Sequence, residues 1–368
     1  MSHYPHARYL GQPDFVHGST ERLGVLLVNL GTPDAPTASA IRRFLAEFLW
    51  DPRVIETPRW LWWLALHGFI LRVRPGRSAH AYQQIWTDQG SPLLLHSRDL
   101  AAGLQNRLVQ RLRETTMVTL GMTYGSPSIA DAMEQLRGAG VRRLIVLPLY
   151  PQYSATTTAS VFDRVTSILQ QWRWLPELRF IGSYHDDPAY IDAIANSILD
   201  HWQKHGREHL LFSFHGAPRK YLLAGDPYHC QCLKTARLVT EHMGLQPEEW
   251  TVSFQSRLGR GEWLRPYTDE TLLQFARQGH KRVSVVCPGF ATDNLETLEE
   301  NAIRNRAAFL AAGGESFDYI PALNASAEHV TVLTEIVAQH AQGWPEATGV
   351  KSIDANVQAR AMQAGAVR

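Results

Sequence analysis

Three side chains suited to proton transfer or metal binding follow apolar runs of this sequence: His215, Asp293 and Glu296. His215 is the last residue of the run Leu210–His215, and a second run, Val283–Cys287, precedes the two acids. Ligand sites of parallel α/β sheets lie at the carboxyl ends of strands. An imidazole and two carboxylates at such ends therefore suggest either acid–base chemistry or metal handling.

Each of these residues also has an ordinary structural interpretation. If Thr292 or Asp293 caps a helix, Asp293 and Glu296 share one face of its first turn, where the helix dipole stabilises acids. A histidine at the end of a strand, such as His215, is often only a hydrogen-bonded structural residue. Spacing alone leaves both interpretations open.

The cysteines are too few for a disulfide framework in a cytosolic protein, since only Cys230, Cys232 and Cys287 occur. His229 adjoins the C-x-C pair, which raises the idea of a structural metal. We do not favour it, because zinc sites rarely use this spacing and all-cysteine clusters need four thiolates.

Composition and missing motifs exclude several functions. The formal net charge is +1 and no basic run occurs, so we expect no nucleic-acid partner. No GxGxxG, Walker A or GxSxG motif follows a strand. The N-terminal segment Met1–Val16 has no apolar core, which argues against a secretory signal and favours a cytoplasmic protein.

The elements that must position these residues alternate between strands and helices. Continuous apolar runs are typical of parallel strands covered on both faces. The predicted strands are Gly24–Leu30, Met117–Tyr124, Leu144–Leu149, Arg179–Tyr184, Leu210–His215, Thr251–Phe254 and Val283–Cys287.

Helical spacing appears between these strands. Ile129, Met133 and Leu136 recur on one face after Ser128, a candidate N-cap, and a late helix covers Glu328–Gln339. The pattern predicts an α/β protein with two Rossmann-like lobes, each a parallel sheet flanked by helices. We place the first lobe at 20–178, the second at 179–322, a C-terminal helix packing back on the first lobe at 323–343, and a frayed polar tail at 344–368.

The segment Trp60–Leu71 is the most apolar window of the chain. It is too short to cross a bilayer, which needs about 20 residues. Arg59, Arg72 and Arg74 flank it. A Trp-rich segment with basic flanks suits a membrane interface or the lip of an apolar pocket, and a buried helix is the alternative.

A series of short motifs runs along nearly the whole chain, from about Gly24 to about Gln339. They are Leu27-Val28-Asn29-Leu30-Gly31-Thr32-Pro33, Gln89-Gly90-Ser91-Pro92, Leu147-Pro148-Leu149-Tyr150-Pro151-Gln152-Tyr153-Ser154, Ser213-Phe214-His215-Gly216, Gly225-Asp226-Pro227-Tyr228, Ser253-Phe254-Gln255-Ser256-Arg257, Trp263-Leu264-Arg265-Pro266 and Asp293-Asn294-Leu295-Glu296-Thr297-Leu298. Each motif alone is weak, but all of them in this order are specific. The series resembles that of ferrochelatases, which insert ferrous iron into a porphyrin in haem synthesis.

The resemblance implies a chelatase-like fold with a porphyrin cleft between the lobes. It implies that His215 and Glu296 form the iron site, with Asp293 beside them, and that Trp60–Leu71 is the apolar lip. The porphyrin-binding positions it implies are Leu30, Ser91, Tyr124, Tyr153, Arg257 and Trp263. Arg77 and Tyr82 are further candidates for contacting the propionates.

The sequence departs from the family pattern at three positions. Thr123 stands where many members have arginine, so a propionate or proton-path contact is in doubt. Ala155 replaces a cysteine of iron–sulfur members, and we predict no iron–sulfur cluster. Arg304 interrupts the acidic line after Glu296 and Glu300, which makes a second metal-relay site doubtful.

The resemblance implies a lyase-type metal chelatase that makes protohaem from protoporphyrin IX and Fe²⁺, its substrate, and releases two protons. The alternatives are a chelatase for another tetrapyrrole, such as coproporphyrin III, and a carrier of haem or metal without catalysis. We expect a monomer or weak dimer, with peripheral contact to the inner membrane through Trp60–Leu71.

Overall fold

The computed structural model describes residues 8–12, 15–112, 115–257, 261–348 and 356–366. Within them lie two parallel four-stranded sheets, in the orders β2-β1-β3-β4 and β6-β5-β7-β8. The predicted α/β class with two parallel sheets is confirmed. The strands are β1 (Arg22–Asn29), β2 (Thr116–Met122), β3 (Val141–Pro148), β4 (Glu177–Phe180), β5 (His209–His215), β6 (Trp250–Gln255), β7 (Arg282–Val286) and β8 (Ser316–Ile320).

Helices connect the strands and cover both sheets. The α-helices are α1 (Ala38–Trp50), α2 (Arg59–Ala65), α3 (Leu71–Ile85), α4 (Pro92–Arg111), α5 (Ile129–Gly138), α6 (Ser160–Leu169), α7 (Pro188–His205), α8 (Arg219–Leu223), α9 (Tyr228–Met243), α10 (Thr268–Gln278), α11 (Arg306–Ala311), α12 (Ala327–His340), α13 (Pro345–Thr348) and α14 (Val357–Gln363). Wider π-helical turns occupy Leu66–Ile70, Ala155–Ala159 and Glu296–Asn305, and a 3₁₀ turn occupies Pro247–Glu249.

The local signals in the sequence explain most of these elements. After its first residue every residue of β1 is buried, as expected for a parallel strand covered on both faces. Ser128 caps α5 as predicted, in a reciprocal arrangement with Asp131. The seven predicted strands are all present, with ends displaced by a few residues.

The sequence pattern does not predict the eighth strand, β8, because its residues do not form a continuous apolar run. Phe317 and Ile320 are buried, while Asp318 lies between them on a strand at the edge of the second sheet. Edge strands carry such polar interruptions more readily than central ones.

The assignment of Arg179–Tyr184 to the second set of strands is wrong. This stretch corresponds to β4, whose residue Arg179 is paired with Ile145 of β3 in the first sheet. The predicted lobe boundary between 178 and 179 therefore runs through a strand of the first lobe. Backbone pairing determines which sheet β4 joins, and the apolar run of one strand does not specify the strand with which it pairs.

The largest apolar core lies between the two sheets. Leu104 of α4, Ile198 of α7 and Leu333 of α12 belong to it, together with buried residues of β1 and β5. Arg111 and Glu335 form an ion pair between α4 and α12 at 3.1 Å. The late helix α12 thus packs on α4 of the first lobe and also contacts α7.

The prediction that the chain frays from Trp344 onwards is wrong for the first residues of this segment. Trp344 is buried and donates a hydrogen bond from its indole to Glu177 at 2.6 Å. Glu346 is buried too and pairs with Arg143 of β3 at 2.8 Å. These long-range contacts tie α13 to the first lobe, whereas the prediction rested on the polar local composition.

Candidate active site

His215 occupies the last position of β5, a central strand of the second sheet. Its Nδ1 lies 2.7 Å from the carbonyl oxygen of Gly216. A carbonyl only accepts hydrogen bonds, so Nδ1 carries the proton and Nε2 keeps its lone pair. Among the described residues Nε2 has no hydrogen-bond partner, and the half-buried ring leaves it available to a metal or a proton.

Close backbone approach fixes the direction in which His215 leaves the strand. The amide of Gly216 donates to the carbonyl of Gln255, at the end of neighbouring β6, at 2.7 Å. A Cβ atom on Gly216 would lie 2.6 Å from that carbonyl and 3.2 Å from the Trp263 ring, so only glycine fits. The Tyr228 hydroxyl donates to the carbonyl of His215 at 2.9 Å and holds it from the other side.

Glu296 is the first residue of the π-helix Glu296–Asn305. The side-chain oxygen of Asn294 accepts hydrogen bonds from the amides of Glu296, at 3.0 Å, and Thr297, at 3.1 Å. Asn294 therefore caps this helix, and the expectation of a cap at Thr292 or Asp293 is wrong. The Gln255 amide group donates to the carbonyl of Glu296 at 2.8 Å, so the end of β6 holds the start of the π-helix as well.

The structure brings His215 and Glu296 together. Burial raises the pKa of Glu296 above its ordinary value, and the positive charge of a protonated His215 acts in the opposite direction. Glu300 raises the pKa of Glu296 further, whereas Arg74 lowers it. One imidazole, two carboxylates and one guanidinium thus interact at this place.

In the sequence, Arg74 stands out only as a basic residue that flanks the lip. It lies on α3, which contacts the π-helix, and burial lowers its pKa while Glu296 raises it. Tyr82 of the same helix is buried and shares the electrostatic environment of Glu296. No local signal marks Arg74, because its meeting with Glu296 depends on how α3 packs on the second lobe.

Asp293 is enclosed in a hydrogen-bond network. Its carboxylate accepts from the hydroxyls of Thr297, at 3.0 Å, and Tyr319, at 2.5 Å, and from the amide group of Asn324, at 2.7 Å. These bonds connect the π-helix with β8 and with the loop that follows it. Both carboxylate oxygens are engaged, which favours a positioning role for Asp293 over contact with a metal.

The acidic line beyond Glu296 is neutralised by Arg304. The guanidinium lies 3.5 Å from Glu299 and 3.6 Å from Glu300. Glu300 also accepts hydrogen bonds from the backbone amide, at 2.9 Å, and the hydroxyl of Ser256. Arg304 and Ser256 thus engage Glu299 and Glu300, the two acids that follow Glu296 on the π-helix.

The predicted porphyrin-binding residues divide into two groups. Leu30, Tyr124 and Trp263 lie beside apolar neighbours, whereas Ser91, Tyr153 and Arg257 form polar contacts. Leu30 and Tyr124 share an apolar cluster with Leu295, which directly precedes the π-helix, and with α1 and α3. Trp263 lies against Gly216. The Tyr124 side chain is fully buried, and its hydroxyl donates to Asp51 at 2.8 Å.

Ser91 is buried and accepts a hydrogen bond from Thr32 at 2.8 Å, beside a cavity of about 130 Å³. The backbone amide of Tyr153 donates to the side-chain oxygen of Gln231 at 2.6 Å. Arg257 is exposed and pairs with Glu270 at 2.7 Å, where it faces α10. Arg257 is thus already neutralised by acids of its own lobe.

The lip segment is largely exposed. Trp60 and Phe69 are 71% and 67% exposed, and Leu61, Trp63 and Leu64 are exposed beside them. Trp62 points inwards instead and donates to the carbonyl of Leu49 at 2.6 Å. The alternative of a buried helix therefore does not hold for these five exposed residues.

A model of the ferrochelatase family matches residues 22–341. The chain belongs to the ferrochelatase family. The ferrochelatase of Nitrosococcus oceani is 58% identical over 340 residues, which cover 92% of each chain. That of Thioalkalivibrio sulfidiphilus is 53% identical over 362 residues, or 98% of each chain.

The fold is also that of a chelatase. SirB from Bacillus subtilis with Fe³⁺ superposes with a TM-score of 0.51 at 11% identity, over 90% of this chain and all of SirB. At that identity the likeness concerns the fold alone. It agrees with the two-sheet architecture.

Proposed function

We propose that this chain is a lyase-type metal chelatase that inserts ferrous iron into protoporphyrin IX, forming protohaem and releasing two protons in haem biosynthesis. Its membership in the ferrochelatase family supports this activity. The site assignment is carried by the position of both residues at the end of β6, where Gln255 binds the backbone of Gly216 and of Glu296, and by the electrostatic interaction between His215 and Glu296.

His215 is proposed to act through Nε2, whose lone pair is directed by the Nδ1–H bond to Gly216. Imidazole is suited to proton abstraction because its ordinary pKa is near 6.5. It is also a common iron ligand. Both roles of His215, proton abstraction and iron binding, require the tautomer with the proton on Nδ1 and a rigid strand end.

Glu296 is proposed to accept protons or to hold hydrated iron through oxygen. Its pKa is raised above the ordinary carboxyl value, which makes the Glu296 carboxylate a stronger base for accepting a proton. A proton on His215 lowers the pKa of Glu296, so the pair favours one shared proton over two. Weak nitrogen and oxygen ligation suits a metal that must leave for the porphyrin.

Iron is a substrate in this proposal. The preference of the site for iron over other metals is not set by binding affinity. Nitrogen and oxygen ligands bind Cu²⁺ and Zn²⁺ more tightly than Fe²⁺. We therefore expect zinc insertion in vitro as well. Asp293 is proposed to position Glu296 through the network that fixes the π-helix.

Protoporphyrin is favoured over a tetrapyrrole with more acidic groups. Each added carboxylate requires a cationic or hydroxyl partner, and Arg257 is already paired with Glu270 and Asp269. Leu30, Tyr124, Trp263, Ser91 and Tyr153 remain the proposed porphyrin-binding residues, with Arg257 as a propionate contact only if it leaves these acids.

Porphyrin fluorescence tests the proposal directly. Protoporphyrin IX and coproporphyrin III are each mixed with the protein and Fe²⁺ without oxygen, and loss of free porphyrin is followed. Many turnovers per chain, faster with protoporphyrin IX, are expected. Faster turnover of coproporphyrin III would overturn the substrate assignment, and a single stoichiometric change would indicate a carrier.

We further propose peripheral contact with the inner membrane from the cytoplasm. Among the described residues no helix is both long and apolar enough to span a bilayer. The exposed lip nevertheless presents Trp60, Trp63 and Phe69, and Trp side chains favour the membrane interface. Sedimentation with anionic lipid vesicles tests this contact.

We also propose that the chain holds no iron–sulfur cluster and is a monomer or weak dimer. Burial raises the pKa of the Cys232 and Cys287 thiols, which disfavours the thiolates that clusters need. Analysis of sulfide content and light scattering of the purified protein test these two statements.

A further inference from the structure

A second group of metal-ligating side chains lies on the second lobe. His201 and His205 are one turn apart on α7, and Asp318 projects from the edge strand β8. One potential ligand atom from each residue lies within 4.8 Å of the other two. The two imidazoles face each other with centroids 4.4 Å apart and planes inclined by 22°.

This cluster is remote from His215. Asp318 pairs with Ser284 of β7, and Ser284 pairs with Leu210 of β5. Leu210 is five residues before His215, or roughly 17 Å along the strand at 3.3 Å per residue. The cluster therefore cannot share a metal with the iron site.

One of its atoms lacks the partner that a buried polar atom requires. Nε2 of His201 is buried without a hydrogen-bond partner among the described residues. The nearby polar groups are satisfied by one another, since Trp202 donates to Ser284 at 3.0 Å and Ser284 donates to Glu208 at 3.2 Å. An unpartnered buried nitrogen is costly, so a ligand there would stabilise the fold.

The separation between His201 and Asp318 is close to that of two ligands on one metal ion. Nε2 of His201 and Oδ2 of Asp318 are 3.6 Å apart, longer than a hydrogen bond. Two ligands about 2.1 Å from a tetrahedral metal are about 3.4 Å apart. The partly exposed edge of the cluster at His205 gives an ion access from solvent.

We propose that His201, His205 and Asp318 bind one divalent transition metal ion of the zinc type and clamp α7 to the edge strand β8. Two imidazoles and one carboxylate favour Zn²⁺ or Co²⁺ over Mg²⁺, which prefers oxygen ligands. Solvent would complete the coordination.

Zinc binding to untagged, chelator-treated protein without porphyrin tests the proposal by equilibrium dialysis. The wild type is expected to bind one Zn²⁺ more per chain than His205→Gln, whose side chain is exposed and outside the core. The isosteric variant Asp318→Asn is expected to weaken this binding at least about tenfold. Zn²⁺ should raise the Tm of the wild type more than that of either variant.

The matched control is His242→Gln. His242 forms a histidine–carboxylate pair with Asp192 at 3.0 Å but belongs to no three-ligand cluster in the described part of the chain. The His242→Gln variant should bind as much Zn²⁺ as the wild type. Equal zinc content in the wild type and His205→Gln, or an equal loss in His242→Gln, would overturn the proposal. Iron insertion by His205→Gln should stay within about twofold of wild type, so the result is independent of the catalytic assignment.

Discussion

Glu296→Gln should separate a proton-carrying role from a merely structural one. Glutamine keeps the shape of the side chain, and the hydrogen bond from Gln255 goes to the backbone carbonyl, which the substitution leaves in place. What it removes is the ability to bind and release a proton. General acid–base catalysis contributes about 10²–10⁴-fold, so kcat should fall about 100-fold, equivalent to about 2.7 kcal/mol of barrier.

The stability of the Glu296→Gln variant, unlike its kcat, should not fall. The pKa of Glu296 is raised in the folded protein, so ionising this carboxyl opposes folding. The stability contributed by its neutral form is lost as the pH rises from the ordinary carboxyl range through the raised pKa. Glutamine has no such ionisation, and the variant should melt at pH 7 no lower than the wild type.

The assay measures porphyrin metallation from pH 5 to pH 9, together with thermal melting. In the wild type the rate should rise with pH as Glu296 ionises, and the variant should lose this rise. Glu299→Gln, on the same π-helix and paired with Arg304, is the control and should change kcat by less than about threefold. An unchanged rate with a lower Tm in Glu296→Gln would refute the reasoning and leave Glu296 as a structural residue.

The other substitutions test the remaining parts of the site. His215→Ala should abolish metallation while porphyrin binding, measured by fluorescence quenching, is largely retained; near-normal turnover would remove its proposed role. Asp293→Asn should lower the unfolding free energy by about 2–3 kcal/mol in urea denaturation, because the new NH2 group would face a donor, the amide group of Asn324, when its oxygen accepts from Thr297 and Tyr319; an unchanged midpoint would contradict the network. Trp60→Ser combined with Trp63→Ser should reduce sedimentation with anionic vesicles severalfold without lowering the Tm, because both rings are exposed. The control is Leu223→Ser, which replaces an exposed leucine of the second lobe. An equal loss of vesicle sedimentation in both variants would show non-specific adsorption.

The sequence determined the elements and the chemistry that they carry. Continuous apolar runs specified β1 and β5 because parallel strands are buried on both faces. The Gly216 that follows β5 marked the place where His215 leaves the strand. The order of motifs indicated the family, which the matching family model confirms.

Tertiary structure decided which residues meet. The sheet to which β4 belongs depends on backbone pairing with β3, and the docking of Trp344 depends on contacts with that same sheet. Arg74 reaches the environment of Glu296 only because α3 packs on the π-helix. The His201–Asp318 pair likewise requires α7 to lie over the edge strand. Propensity and periodicity act over a few residues, whereas these meetings join distant segments whose separation is fixed only when the two sheets pack on a common core.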